Sequence, residues 1–192
     1  MKIKKFKVSL RKKEILRNLR LTTQTKEITP QLEESVLKEI EKSNNYLSPA
    51  SVIETLPLKD ALSKFGLVPE EFEQKPIPIS LSIIAATIGD TIEKEVELAR
   101  KSSDTLPSEI VHSLALEACN SSLNFIHRVI NEESGEEECT LLPLEKLSGD
   151  IEKNVIRNMD AQRIGISIDD NNQLHPVYSC AAIVRWISKA KK

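Results

Sequence analysis

Ten residues near the middle of the chain, Ile79 to Ile88, constrain its architecture more than any other stretch. Pro76 and Pro78 stand just before them and forbid a helix there, because proline has no amide hydrogen and a locked φ. Gly89-Asp90 follows and breaks the run. Within it, Ile79, Leu81, Ile83 and Ala85 alternate with Ile84, Ala86 and Ile88, so both faces are apolar and β-branched residues dominate. That pattern predicts a central strand buried on both sides. Ser80, Ser82 and Thr87 interrupt the stretch, which is about half the roughly 20 apolar residues that a membrane-spanning helix requires. A transmembrane segment is therefore excluded, and the rest of the chain must cover two faces of a sheet.

The remaining elements are read outward from that strand. Residues 3–10 alternate as a strand, and residues 11–19 form a short basic helix with Ile15, Leu16 and Leu19 on one face. Thr29-Pro30 starts a helix running to about Asn44, with Leu32, Val36, Leu37 and Ile40 buried. Ser48-Pro49 makes a turn, Ala50 to Leu58 a strand, and 59–75 a loop or short helix. After the central strand, Asp90 is placed to cap a helix, with Glu93 completing a capping box. The longest helix, about 108–131, starts from Thr105 or Ser108. Its stripe is Ile110, Val111, Leu114, Ala118, Phe125, Ile126 and Val129. Residues 132–149 read as a polar, acidic loop, and 149–160 as a helix. Ile164 to Ile168 and Tyr178 to Ile187 read as strands, with Asp169 to Asn172 a turn. Strands at both ends with helices between them predict an α+β fold with a twisted, mostly antiparallel sheet flanked by helices.

At 192 residues the length prior gives one domain over 1–192, with 1–28 as a basic N-terminal strand and helix. The net charge of −2 hides ten basic residues against Glu14 alone in residues 1–26. A basic head suits an anionic partner, yet its lysines alternate with Ile3, Phe6, Val8 and Leu10 as a solvated edge strand would. Phe6 is the one aromatic among the basic residues of 1–26, which argues against single-stranded nucleic acid. The basic start lacks a following apolar segment, so a cytoplasmic protein is expected. Cys119, Cys139 and Cys180 form no C-x-x-C pair, which argues against a disulfide framework or a structural zinc site. Cys119 and Cys180 read as small core residues, and Cys139, beside Glu136 to Glu138, as exposed.

Known catalytic signatures are missing: there is no dinucleotide fingerprint, Walker loop, H-E-x-x-H or G-x-S-x-G. His112 and Cys119, seven apart on one helix, share a face but have no third metal ligand at helical spacing, so no metal site is assigned and no catalytic residue is named. Two segments carry more information. Ala85 to Asp90 is a strand that ends in small residues and turns straight into a helix, where free N–H groups let a ligand approach the backbone. The other runs Gln162-Arg163-Ile164-Gly165-Ile166, then Leu174-His175-Pro176-Val177-Tyr178-Ser179.

The order strand, A-T-I-G, long Ala-rich helix, R-I-G-I and P-x-x-S resembles the activation domain of cobalamin-dependent methionine synthase, closest to its small stand-alone relatives. L-R-K-K-E-I-L-R-N-L and S-P-A-S-V-I-E-T-L-P extend the resemblance over most of the chain. It implies a twisted antiparallel sheet bent around a shallow groove. It also implies S-adenosylmethionine as ligand and an accessory role in reductive remethylation of a corrinoid protein. The ligand-binding candidates it nominates are Thr87, Gly89, Asp90, Asn120, Pro176, Tyr178 and Ser179.

The chain departs from that family in the loop after the long helix. Glu138 to Asp150 has no arginine, no tyrosine and no glycine before Gly149, so the family's R-x-x-x-G-Y is absent. A charged hydrogen-bonding partner is worth about 1.5–3 kcal/mol, so weak S-adenosylmethionine binding is expected. The positions two before the histidines are Ile110, Phe125 and Gln173, so D-x-H-x-x-G is absent too. Cobalamin is then expected only through a partner, a corrinoid-binding protein or methyltransferase. Two alternatives remain: a non-catalytic interaction subunit that has lost the ligand, and a nucleic-acid-binding module using the basic head.

Overall fold

The computed structural model describes residues 1–22, 27–73, 76–101 and 104–189. Its elements in chain order are β1 (Lys2–Lys4), α1 (Lys12–Thr22), α2 (Pro30–Ser43), β2 (Ala50–Pro57), α3 (Leu58–Phe65), β3 (Ser80–Thr87), α4 (Thr91–Arg100) and α5 (Leu106–Glu136). They continue with β4 (Cys139–Leu141), β5 (Glu145–Lys146), α6 (Gly149–Asn158), β6 (Ser167–Ile168), β7 (Leu174–His175) and β8 (Ser179–Ser188). Single 3-10 turns occupy Pro69–Phe72 and Ala161–Ile164.

The main sheet runs β1-β2-β3-β8-β4, with β5 also paired to β8, and every pairing is antiparallel. β6 and β7 form a separate two-stranded ribbon. As the sequence requires, β3 is a central strand buried on both faces. Leu81, Ile83 and Ala85 pack with Phe65 of α3 and Val155 of α6. Ile84 and Ala86 pack with Leu123, Ile126 and Ile130 of α5. A third cluster joins the helices to one another and to the ends of β3 and β8, through Leu16, Val36, Ile92, Leu114, Ile88 and Tyr178. The fold is α+β, with helices on both faces of an antiparallel sheet.

Several polar groups inside this core are paired, whereas the buried Ser113 Oγ, His127 Nε2, Ser179 Oγ and Arg185 Nε have no hydrogen-bond partner among the described residues. Trp186 Nε1 donates to Ser82 Oγ at 2.7 Å, and Ser82 Oγ lies 2.7 Å from Thr55 Oγ1, so one hydroxyl satisfies a buried indole on the next strand. Glu117, 1% exposed on α5, receives Arg11 Nε at 2.8 Å and Arg11 Nη2 at 3.4 Å. This two-point contact ties the basic N-terminal segment to the helix.

Several elements differ from the sequence expectation. The first strand covers Lys2–Lys4 only, because Lys5 turns to a left-handed φ of 57° and the chain leaves the sheet. Phe6 then stacks on Phe125 at 4.6 Å instead of continuing a ladder. α1 runs on to Thr22; residues 23–26, including Lys26 of the basic head, lie outside the described residues, as do 74–75. Leu37, expected in the core, is 45% exposed, and Ile79 is 49% exposed because β3 begins one residue later. The expected acidic loop contains the last turn of α5 and both short strands. Cys139, expected outside, is 5% exposed because β4 pairs it with Ser188. The strand expected over 164–168 is a 3-10 turn followed by the two residues of β6.

Candidate functional site

β3 ends where the sheet meets the start of α4. The Gly89 N–H donates to Thr87 Oγ1 at 3.1 Å, and Gly89 has φ 89°. The Ser48 N–H donates to the Ile88 carbonyl at 2.9 Å, which brings the Ser48-Pro49 turn against Gly89. A β-carbon on Gly89 would meet Ser48 Cβ at 3.1 Å, so a side chain here would crowd that turn as well as take a left-handed φ, and glycine is favoured.

The expected capping box does not form. Asp90 makes no cap bond; its φ and ψ of −91° and −20° are those of helix, and it pairs with Lys94 at 3.6 Å. The Glu93 carboxylate instead accepts the N–H of Val177, clamping the loop before β8 onto α4. Opposite, His175 Nε2 lies 3.2 Å from Asp169 Oδ2. The N–H of Gln173 donates to Asp169 Oδ1 at 2.7 Å, and this bond, with His175, holds the Asp169 carboxyl below its ordinary range. The peptide bond between His175 and Pro176 is cis.

These segments enclose a cavity of about 520 Å³, within the usual range for small-molecule sites. Thr87, Gly89, Asp90 and Pro176, four of the seven nominated residues, line it together. Ala50, Ser48 and Gly165 keep its walls low, while Lys4 and Lys5 supply cations. The sequence signal for Lys4 and Lys5 was misleading, since their alternation with apolar residues reads as a solvated strand.

The other three nominated residues lie elsewhere. Tyr178 is 8% exposed and turns toward α5, where its hydroxyl is 2.7 Å from His112 Nδ1; burial pushes its phenol up to about 12. Burial, then Arg100, holds His112 below its usual range. Ser179 pairs in register with Thr87, so both sit on the sheet face away from α5, and its buried Oγ has no hydrogen-bond partner. Asn120 lies on α5, where its side-chain oxygen accepts from Lys146 of β5. It lines a second cavity of about 490 Å³ with Arg11, His127 and Leu144, and the two cavities share no residue.

Among the described residues no serine, threonine or cysteine side chain is hydrogen-bonded to a histidine; the His112 and His175 side chains meet Tyr178 and Asp169. Hydrogen bonding to Cys180, together with burial, pushes the Cys119 thiol well above its ordinary range, which makes it inert. No three His, Cys, Asp or Glu side chains gather as a metal site among the described residues, and no helix there is long and apolar enough to cross a membrane. The arrangement is chemically suited to holding a ligand.

No family model matches the chain, and no curated protein matches it in sequence. Among solved structures, one described as the MetH reactivation domain bound to AdoHcy shares its fold, with a TM-score of 0.61. That likeness covers 100% of this chain and 79% of the other, at 12% identity. The protein therefore has the fold of a methionine synthase reactivation domain.

Proposed function

We propose that this chain is a reactivation-type accessory protein that binds a ligand of the S-adenosylmethionine class in the β3–α4 cavity and docks on a separate corrinoid-binding protein or methyltransferase. The observation that carries the reading is the end-to-end fold likeness to a domain whose structure holds AdoHcy. Supporting it, four nominated residues line one cavity of ligand size. Thr87, Gly89, Asp90 and Pro176 form its working surface, with the unpaired Ser179 hydroxyl on the same sheet face. The chain brings no cobalamin motif of its own, so any cobalt must come with the partner, and the protein's contribution is proximity.

The test is calorimetric titration of the full chain with AdoHcy, followed by pull-down with a corrinoid protein from the same source, its cobalt oxidised and then reduced. Binding that Asp90→Ala weakens, together with state-dependent docking, supports the proposal. Absence of both overturns it.

One observation favours a second reading, an interaction subunit without the ligand. The segment matching the family's ligand loop is spent on β4 and β5, both hydrogen-bonded to β8, and Lys146 within it is engaged by Asn120. Docking without AdoHcy binding would select this reading.

A further inference from the structure

Between the end of β1 and the start of α1 the chain joins no sheet. Its burial alternates there: Phe6, Val8 and Leu10 turn inward while Lys7 and Ser9 face solvent, the period of an extended strand. Among the described residues, no main-chain N–H of residues 6–10 donates a hydrogen bond. Of their carbonyls only that of Ser9 accepts one, from Ser121 Oγ at 2.8 Å. A groove of about 620 Å³ separates this segment from the end of α2. Val8, Leu10, Ile40 and Leu47 are half-buried; each packs on the helical cluster and also lines the groove. Lys5 and Lys7 supply its charges, and no described Asp or Glu lines it. Neither lysine makes an ion pair among the described residues, and the same holds of Lys2, Lys4, Lys13 and Arg20. Positive charge is therefore uncompensated along the whole N-terminal segment. The groove is where that charge meets apolar surface and free main chain.

We propose that this groove takes an extended acidic peptide segment of a partner protein. The segment pairs main chain to main chain along residues 6–10, sets carboxylates against Lys5 and Lys7, and lays alternate apolar side chains over Val8, Leu10 and Ile40. Free N–H and C=O groups alternating along an extended chain are answered together only by a second extended chain, about 4.8 Å away. Nucleic acid would set phosphates beside the free carbonyls and leave the apolar floor wet. Lysines on an open strand also repel a second copy of the same segment, so the occupant has to carry the opposite charge. The groove shares Lys5, Ser48 and Pro49 with the β3–α4 cavity, so a docked segment lies at that cavity's rim. The inference needs neither AdoHcy nor cobalt, and it stands or falls apart from the reading above.

The probe is a blocked, fluorescein-labelled peptide of alternating glutamate and valine, long enough to cover residues 5–11, titrated with the full chain by fluorescence anisotropy. Two peptides are compared with it: alternating lysine and valine, and the acidic peptide with its valine amides N-methylated, which keeps every side chain but removes main-chain donors. The acidic peptide is expected to bind at least tenfold more tightly than either. Lys7→Glu should weaken it at least fivefold. Lys13→Glu, an equal charge change on α1 outside the groove, should weaken it no more than twofold. Both lysines are exposed, so both variants fold, and circular dichroism checks this. No binding of the acidic peptide overturns the inference. So does equal binding of the N-methylated peptide, which removes the main-chain pairing, or equal damage from Lys13→Glu, which reduces the effect to net charge. Tighter binding of an oligothymidylate that Lys7→Glu abolishes would assign the segment to nucleic acid instead.

Discussion

Replacing Gly89 with alanine tests the link between the strand-to-helix turn and the cavity. Gly89 has φ 89°, in the left-handed region, which costs a residue with a β-carbon about 1–2 kcal/mol. Alanine recovers about 0.4–1 kcal/mol by restricting the unfolded chain. Its new β-carbon would also stand 3.1 Å from Ser48 Cβ, and displacing that turn adds about 1 kcal/mol, the low end of overpacking. The net expectation is a loss of about 2 kcal/mol. Gly165 is the control: its φ is 82°, but nothing lies within 4 Å of an added β-carbon, so Gly165→Ala should cost about 1 kcal/mol. Urea unfolding of both variants measures the difference as a shift in midpoint at constant slope. In a double-mutant cycle, Ser48→Gly should recover the contact energy of Gly89→Ala and leave the strain. If Gly89→Ala costs no more than Gly165→Ala, the Ser48 contact does not constrain the turn, and the account of the cavity wall is wrong.

Other perturbations have defined outcomes. Ser82→Ala leaves the buried Trp186 indole N–H without its acceptor and should lower stability by about 1–3 kcal/mol in urea; Ser82→Thr, which keeps the oxygen, should cost less. Arg11→Ala strands the Glu117 carboxylate at 1% exposure. Because Arg11 itself is 54% exposed and water screens the pair, the expected loss is about 2 kcal/mol, and Arg11→Ala/Glu117→Leu should recover part of it. His112 has its folded pKa depressed by burial and Arg100, so the protonated form favours the unfolded chain. Its contribution is fully present above the unfolded value of 6.5 and is lost as pH falls through the lower folded value; His112→Phe should remove that part of the stability–pH slope, measured by urea midpoints from neutral to mildly acidic pH.

The sequence was most legible where burial alone decides structure. β3 could be read because an apolar, β-branched run between prolines and glycine has few other fates. α2 followed from Thr29-Pro30, and Thr29 Oγ1 does accept the Leu32 N–H at 3.2 Å. Elements fixed by long-range pairing were not legible. Cys139 to Lys146 is short, follows the acidic run Glu136 to Glu138 and is broken by Pro143, so it does not look like strand, yet β8 presents a free edge to it, and pairing outweighs local composition. Glu93 was read as a local cap, but its partner is the Val177 N–H, 84 positions away. Lys4 and Lys5 reach the cavity because the chain turns at Lys5, and nothing in their neighbours announces a left-handed lysine.

The nominated ligand residues separate into groups because β3 and β8 have two faces. Thr87 and Ser179 occupy paired positions facing away from α5, while Asn120 belongs to α5 itself. Tyr178, one residue from Ser179, turns to the opposite side and meets His112. The Thr87 side and the Asn120 side thus form two cavities with no residue in common. The Asn120 side lies against the segment that lost the family's arginine and tyrosine, and its amide oxygen is already occupied by Lys146. The Thr87 side retains unpaired lysines, two carboxylates and an unsatisfied buried hydroxyl. Unsatisfied polar groups are costly to keep buried, and each side keeps one, Ser179 Oγ on the Thr87 side and His127 Nε2 on the Asn120 side; the sides differ in that Asn120 is already engaged by Lys146 whereas Lys4 and Lys5 make no ion pair among the described residues. The same asymmetry separates the two functional readings: a ligand-binding accessory uses the Thr87 side, whereas a docking subunit without a ligand needs neither cavity filled.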